Sequence, residues 1–508
     1  MKILKAHEMV SIDRRTVDEV GVPSILLMEN AALRTLEVIK GRFKNAKKFL
    51  IVAGKGNNGG DGLAIARHLH LLGYKVDYVL ALGDELRGDA MLNYKAIRNL
   101  GLYPKEGIPG DEYDLIIDAL FGTGFKPPTL GESVRWIEFI NSSLSPVLSV
   151  DVPSGLSADE GKAYEPSVKA NVTVTFQFPK VCHVLYPAAK LCGEVYVVNI
   201  GIPESFAEGI SRESVDRVKI PYREPDAHKG KMGHVLLVGS SKGKSGALIM
   251  AAKAATRTGS GLVSVGVPSE LNHIFEIALT EEMSIPLEGT ERLSYKAAEE
   301  IISMQERFHA VGIGMGMGRY QEGSILVKKL ILKVRKPLLI DADGLNNLAD
   351  LKDMSFLKDR ESPVVLTPHV GEFERLSGWD KEAIVNNLMD AAVEFAQRWG
   401  CFLVLKSSRT VIATPNARAY LSMRGTSAMA KGGMGDVLSG ILTSLLGRGM
   451  EIEEALKLGV FLHGLAGEIA EGERHKEGVK ALDIVESIPK AYNHIENESY
   501  PPIIHYLS

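Results

Sequence analysis

From Lys48 onward, short aliphatic runs alternate with longer segments whose apolar positions recur every three to four residues: FLIVAG, DGLAIARHLHLLG, YKVDYVLALG, LNYKAIRNLG and DLIIDALFG. This is the strand–helix–strand rhythm of a parallel sheet. Residues 115–120 and 147–152 do not alternate apolar with polar positions, as expected of strands covered by helices on both faces. Ahead of them, residues 6–20 and 24–39 are predicted to form two helices, the second with Ser24 as its N-cap after Pro23. A second series starts near Gly233 with GHVLLVGSS, GALIMAAKAATRTG and GLVSVGV, and continues through AVGIGMG, PLLIDADG, PVVLTPH, FLVLKSS and TVIATP. Residues 204–231 between the two series are charge-rich, broken by Pro221 and Pro225, and have no strong period. The boundary is therefore expected near Val218, giving domains 1–217 and 218–508 of an α/β protein.

Length agrees with that division, because 508 residues exceed what one ordinary core holds. The 59 Lys plus Arg and 63 Asp plus Glu are intermingled, so no broad cationic field is offered to a polyphosphate backbone and nucleic acid is not expected as a principal partner. Cys182, Cys192 and Cys401 show no CxxC spacing, which argues against a disulfide framework or structural zinc and for reduced core thiols. The start, MKILKAHEMVSIDRR, lacks a signal-like apolar stretch, and no run reaches the roughly 18 apolar residues of a membrane span. A cytoplasmic location without a membrane partner is expected.

Candidate chemistry gathers at glycine-rich turns. FLIVAG runs into GKGNNGGDG and then into a helix, so backbone N–H groups face the positive helix end, where anionic oxygen binds. A merely structural turn is the competing reading. The polar side chains of Asn57, Asn58 and Asp61 at the carboxyl edge of a parallel strand favour a ligand. Asp118, leading into the Phe121–Pro128 loop, and Asp151, leading into Val152-Pro153-Ser154-Gly155, follow the same plan. Each serves equally as a turn former or cap, but three such loops suggest a shared site whose oxygen donors suit a hard, even monovalent, cation.

In the second half, TSAMAKGGMGDVLSGILTSLLGRG places Asp436 in the first turn of a helix whose apolar face is Val437, Leu438, Ile441, Leu442, Leu445 and Leu446. The N–H groups of Gly433, Met434 and Gly435 would form an anion hole, Lys431 would add positive charge, and Asp436 would take a proton from an attacking hydroxyl. An Asp favoured only by the helix dipole is the alternative. Asp341 and Asp343 in LLIDADG are open to either a substrate or a structural role. Glu372 is a candidate to assist a phosphate-bound magnesium ion. His463 has the helical neighbours of a packed histidine, and His68 and His70 point to different faces of one helix.

These motifs resemble two families. VPSILLMENAA, GKGNNGGDG, IIDALFGTG and SVDVPSG, in that order across roughly residues 1–215, are similar to the signature blocks of the NAD(P)H-hydrate epimerase domain. The ordered set HKGKMGHVLLVGSS, DADGLNNL, LTPHVGEFERL, LVLKSS and MAKGGMGDVLSG, over about residues 225–490, resembles the ADP-dependent NAD(P)H-hydrate dehydratase domain of the ribokinase-like superfamily. The resemblance implies a Rossmann-like three-layer amino-terminal domain with a mostly parallel sheet, and a ribokinase-like α/β carboxyl-terminal domain. It also implies that Asn57, Asn58, Gly59, Gly60, Asp61, Gly122, Thr123, Gly124, Phe125, Lys126, Pro127, Pro128 and Asp151 contact hydrated NAD(P)H, with Asn58, Asp118 and Ser154 holding potassium.

In the second domain the resemblance assigns Gly316, Gly318, His369, Val370, Gly371, Glu372, Phe373, Glu374, Arg375 and Asp436 to the hydrate. Lys406, Ser407, Ser408, Arg409, Thr410, Thr426, Ser427, Ala428, Met429, Ala430, Lys431, Gly432, Gly433, Met434 and Gly435 are assigned to ADP, which would arrive with magnesium. The chain departs from the common pattern at Met315, Val370, Thr426 and Ala428. The implied activity is cofactor repair. The first domain would interconvert R and S hydrates of NADH and NADPH, with Asp151 handling the proton. The second would dehydrate the S form by ADP-driven phosphorylation, giving AMP and phosphate, with Asp436 as the base. ADP follows from the fused organisation and from no single residue, and a homo-oligomer is expected. The rivals are a vitamin or sugar kinase with a nucleotide-binding amino-terminal module, and a nucleotide-binding scaffold.

Overall fold

The computed structural model describes residues 1–507 and forms two compact units. Met1–Arg212 and the chain from Pro502 onward make the first, and Glu213–Pro501 the second. The changeover thus lies ahead of Val218, and the expected second domain of 218–508 gives up its tail. The reason is backbone pairing, since His505–Leu507 adds as a parallel edge strand to Glu194–Val198. PPIIHYL carries no alternating pattern that would announce it.

The first unit holds seven strands in the order His505–Leu507, Glu194–Val198, Val172–Phe176, Val147–Val150, Leu115–Ala119, Lys48–Ala53, Lys75–Leu80, all parallel. Strand residues alternate between two cores. Phe49, Ile51 and Ala53 join the core beneath helices Ser24–Arg42 and Asn57–Leu71, while Leu50 and Val52 join Trp136, Ile137 and Ile140 of helix Glu132–Ser142. That two-sided cover is why these strands read as unbroken apolar runs. The chain steps from Lys48–Ala53 to one neighbour and returns to the other, so the sheet changes direction there. The crevice beyond the carboxyl ends of Lys48–Ala53 and Leu115–Ala119 is where such folds bind ligands.

Two local expectations differ. Residues 6–20 form helix Ala6–Arg15 followed by a π-turn, Thr16–Val20, that ends at Gly21. Ser24 is the first helical residue and Pro23 occupies the cap position without a side-chain bond, because a proline already spares the chain one N–H there.

The second unit holds ten strands: Met283–Leu287, Leu262–Pro268, His234–Val238, Ala310–Ile313, Leu338–Ile340, Val364–Leu366 and Phe402–Leu405 run parallel, then Thr410–Ala413 runs against them, Ala419–Ser422 pairs antiparallel to it, and Arg212–Ser214 closes the edge. Its change of direction lies between His234–Val238 and Ala310–Ile313. Helix Met434–Gly447 is buried at every residue from Val437 onward, not only on the expected apolar face, because it lies in the middle of the core. It nearly touches helix Ser245–Thr258: a Cβ at Gly440 would lie 2.0 Å from the Ala251 carbonyl oxygen. Gly440→Ala is therefore expected to lower the stability of the second unit by about 3 kcal/mol, the upper end for overpacking, visible as an earlier calorimetric transition.

Cys182, Cys192 and Cys401 are free and buried, as expected. Among the described residues no helix is long and apolar enough to cross a membrane.

Candidate active sites

In the first unit the GKGNNGGDG turn begins helix Asn57–Leu71 directly after its strand. The turn is tight enough that a Cβ on Gly59 would sit 1.9 Å from the Gly54 carbonyl oxygen. Asn58 is 9% exposed, yet neither its Oδ1 nor its Nδ2 has a hydrogen-bond partner. Its amide flanks Gly122, where a Cβ would lie 3.1 Å both from Asn58 Oδ1 and from Asp151 Oδ2. The loop after Ala119 and the end of strand Val147–Val150 are thus brought against the glycine turn, as the switch point requires.

Asp151 adopts a left-handed backbone, φ 65°. Its Oδ1 accepts from Lys180 Nζ at 2.7 Å and Thr175 Oγ1 at 3.1 Å, and its Oδ2 accepts from Thr123 N at 2.9 Å and from the Thr123 hydroxyl. Burial alone would raise this carboxyl, but Lys180 and Thr123 together hold it at about 2. The Lys180 ammonium and the Thr123 donors thus favour the ionised form of Asp151 in this unliganded site. Asp118 is fully buried and pushed up by burial, though Ser149 Oγ at 2.8 Å, Ser154 N at 2.9 Å and Ser154 Oγ at 2.6 Å all donate to it. Asp61 is raised well above the carboxylate range, first by burial, then by Asp151, Asp13 and Asp89.

Of the remaining expected contacts, Gly60 is buried within the turn and Asn57 is exposed at the helix start. In the second loop Phe125 stacks on Phe121 with centroids 4.3 Å apart, and Gly124, Lys126 and Pro128 are exposed around Pro127. Lys180 and Asp13 were not singled out from sequence. The available signals were a lysine directly after FP at a strand end, and the spacing of Met9, Ile12 and Thr16, which puts Asp13 on the same face.

In the second unit Asp436 lies in the first turn of Met434–Gly447, where N–H groups have no intrahelical acceptor. Burial, then the nearby Asp341, raises its carboxyl to about 6 against the pull of Lys406. Beneath it, fully buried Asp341 accepts from Lys406 Nζ at 2.6 Å and from Ser439 Oγ at 2.6 Å. Lys406 Nζ lies 3.1 Å from where a Gly435 Cβ would be, so the ammonium sits directly under the helix start. In this buried cluster Asp341 holds the Lys406 ammonium in place. Asp343 accepts from Gly318 N at 2.8 Å and Lys244 Nζ at 3.0 Å and so secures the GMGMG loop, as Ser241 does through the Gly316 carbonyl at 2.8 Å.

Two expected residues engage other parts of the protein. Phe373 is fully buried in an aromatic cluster with Phe395 and Trp379, centroids 5.0 and 5.8 Å away, because its helical position faces the core and not the pocket. Lys431 Nζ donates to the carbonyls of Glu477 at 2.6 Å and Val479 at 2.9 Å, so its charge fastens a loop instead of facing the anion hole.

His369 and Glu372 form a reciprocal cap: His369 Nδ1 accepts from Gly371 N at 3.0 Å, and Glu372 Oε2 accepts from His369 N at 2.9 Å. Burial raises Glu372 and lowers His369. Val370 and Glu374 are half-buried on this helix, and Arg375 Nε reaches Asn346 Oδ1 at 3.0 Å. Ser407 and Ser408 are exposed ahead of Thr410, and the Arg409 guanidinium donates to the Met423 carbonyl, tying that loop to the approach to Thr426. Thr426 Oγ1 accepts from Ala428 N at 3.2 Å, opening the turn Ser427–Met429 that leads through Ala430 to Gly432 and Gly433. His463 is pushed down to about 4 by burial, the state of a packed neutral histidine.

The family described as NAD(P)H-hydrate dehydratase matches residues 235–490, and that described as YjeF-related protein N-terminus matches residues 24–182. A bifunctional NAD(P)H-hydrate repair enzyme of Moorella thermoacetica is 38% identical, over 98% of this chain and 98% of its own. One from Thermofilum pendens is 36% identical, over 97% and 96% respectively. The ADP/ATP-dependent NAD(P)H-hydrate dehydratase from Bacillus subtilis, solved with ATP/Mg2+, is 27% identical over 54% of this chain and 94% of its own, with a TM-score of 0.48. With both domains matched in order and such relatives aligned over nearly their whole length, this chain belongs to the family of bifunctional NAD(P)H-hydrate repair enzymes.

Proposed function

We propose that this chain repairs hydrated nicotinamide cofactors in two steps, epimerisation of the R and S hydrates in the first unit and ADP-driven dehydration of the S hydrate in the second. The observation that carries the second step is Asp436, held at about 6 beside the open N–H groups of the helix start. A base near neutrality next to an anion hole suits phosphoryl transfer to a hydroxyl. Asp436 takes the hydroxyl proton as its oxygen attacks the terminal phosphoryl group, and the N–H groups meet the charge that develops. Phosphate then leaves with the C–O electron pair, pushed by the ring nitrogen, and loss of a proton from the adjacent carbon restores the reduced ring. Hydroxide leaves poorly and phosphate well, so the phosphorylation is what makes the dehydration run.

Magnesium would accompany the nucleotide and neutralise charge on the transferring group. Glu372 is an oxygen donor of the right kind for it, its Oε1 having His369 Nε2 beside it at 3.6 Å. In the first unit the oxygen donors Asn58, Asp118 and Ser154, with the Asn58 amide buried and unpartnered, fit a potassium ion. They would hold it, and it would supply positive charge to orient a substrate oxygen.

The test is recovery of reduced-cofactor absorbance from each purified epimer of hydrated NADH, with ADP or ATP and with or without potassium. The S epimer with ADP should recover fully, and the R epimer should recover at a rate set by the first domain. A stable phosphoester without recovery would instead favour the vitamin or sugar kinase.

A further inference from the structure

We propose that Asp341 is a positioning residue of the dehydration, holding the Lys406 ammonium beneath the amino end of helix Met434–Gly447 and keeping it from pairing with Asp436. This rests on reading the second unit as the dehydratase. Asp341 follows strand Leu338–Ile340 and stands at the cap position of helix Ala342–Ala349, where an aspartate ordinarily accepts from its own helix. Its side chain makes no such bond. Instead it turns inward, 1% exposed, with Oδ1 accepting from Lys406 Nζ and Oδ2 from Ser439 Oγ, both at 2.6 Å. The backbone is fixed on both sides of it. Ala342 is left-handed at φ 49°, a conformation that a side chain disfavours, and Asp341 N donates to the Ile313 carbonyl at 3.0 Å. Gly314 packs so closely that a Cβ on it would lie 1.9 Å from the Asp341 carbonyl oxygen.

The cluster lies under the turn that carries Asp436. A Cβ on Gly435 would stand 3.1 Å from Lys406 Nζ and 3.8 Å from Asp341 Oδ2, so the ammonium takes the space that a side chain there would need. Ser439 follows Asp436 by three residues and shares its side of the helix. Among the described residues Asp341 is the one hydrogen-bond acceptor of Lys406 Nζ, and the Asp436 carboxyl accepts no hydrogen bond. Two of the three ammonium protons are therefore left for a ligand. The charged groups facing Asp436 are Asp341, Lys406 and Asp343, and Lys406 is faced in addition by Glu372 and His463. A buried ammonium beside an open carboxylate pairs with it unless another anion holds it, and Asp341 is that anion. Burial would lower Lys406, but Asp341 and Glu372 outweigh it and the group stays charged.

Fixing the ammonium serves the dehydration twice. Lys406 adds positive charge below the N–H groups of the helix start, where Lys431 was expected to supply it, and meets the charge that grows on the transferring phosphoryl group. Asp436 meanwhile keeps an open carboxylate to take the hydroxyl proton. Without the Asp341 charge the ammonium would turn to Asp436, weakening the base and leaving the phosphoryl group. Neither Asp341 nor Lys406 gains or loses a proton in the reaction.

The experiment follows recovery of reduced-cofactor absorbance from the S epimer of hydrated NADH with ADP, in the full chain, against pH and magnesium concentration. Asp341→Asn keeps the shape of the side chain and removes its charge. It should lower kcat about 100-fold, the usual effect of a misplaced catalytic group, and move the acid limb below about 6, because Asp436 loses a neighbouring anion and gains the ammonium. Lys406→Met should move the limb the other way, above about 6. A packing defect alone moves neither. Wild-type kcat and limb in Asp341→Asn would overturn the proposal, as would a slower rate with the limb unmoved, or a rate restored by added magnesium, the mark of a metal ligand. Should the variants fail to fold, a crystal of the wild-type chain with ADP and magnesium decides. Lys406 Nζ should then bond both Asp341 and a terminal phosphate oxygen, and a Lys406–Asp436 pair or a metal ion on Asp341 overturns the proposal. A wild type that recovers no reduced cofactor removes the dehydratase reading and this inference together, whereas an active wild type matched by Asp341→Asn removes the inference alone.

Discussion

Asp436→Asn is expected to slow dehydration of the S epimer by about 10²- to 10⁴-fold, the usual contribution of a positioned base, while leaving equilibration of the epimers unchanged. The carboxyl sits over the Asp341–Lys406–Ser439 cluster, so asparagine fits the same space and removes only the proton acceptor. The ionised form is the active one, and the value of about 6 lies above that of an ordinary carboxyl. Wild-type dehydration should therefore fall as pH drops through about 6, and the residual rate of Asp436→Asn should lack that limb. Steady-state kcat/KM against pH, measured from the S epimer with ADP, checks both. An unaltered rate in the variant would remove Asp436 from the chemistry.

Lys180→Met is expected to destabilise the first unit by about 3–5 kcal/mol and to abolish epimerisation, because it leaves the Asp151 carboxylate buried without its counter-charge. The pair is tight, at 2.7 Å, with the Lys180 side chain 1% exposed. Adding Asp151→Asn should recover part of the lost stability, since the orphaned charge is then gone, but not the epimerisation. Calorimetry of the full chain, following the first-unit transition in the single and double variants, decides this. The pH dependence has a definite sign. Asp151 is held at about 2, below its ordinary value of 3.8, so its ionised form favours the folded state at pH above about 4. That contribution fades as pH falls towards 2, and Lys180→Met should flatten this acid limb.

The glycine turns were legible because their composition is local. GKGNNGGDG between a strand and a helix, and GGMGD opening an apolar helix, state their geometry in consecutive residues, and both lie where the motifs indicated. Phe373 and Lys431 show what the motifs left open, for one shared reason. Their chain positions lie within recognisable motifs, but whether a side chain turns to the pocket, the core or a neighbouring loop depends on partners distant in sequence. For Phe373 those partners are Phe395 and Trp379, and for Lys431 they are the carbonyls of Glu477 and Val479.

By itself the sequence determined the two α/β series, the two-sided burial of their strands and the glycine-and-carboxylate turns that belong at strand ends, since each follows from residues within one or two turns of chain. Only the tertiary structure decided the charge state of the carboxyls that the motifs named. Lys180 folds back onto Asp151 and holds its carboxyl low, whereas burial and Asp341 outweigh Lys406 and raise that of Asp436. The carboxyl end of the chain likewise joined the first sheet through a backbone pairing that no local pattern encodes. Proton affinity and strand addition both depend on what surrounds a group in space, and that is assembled from segments far apart in the chain.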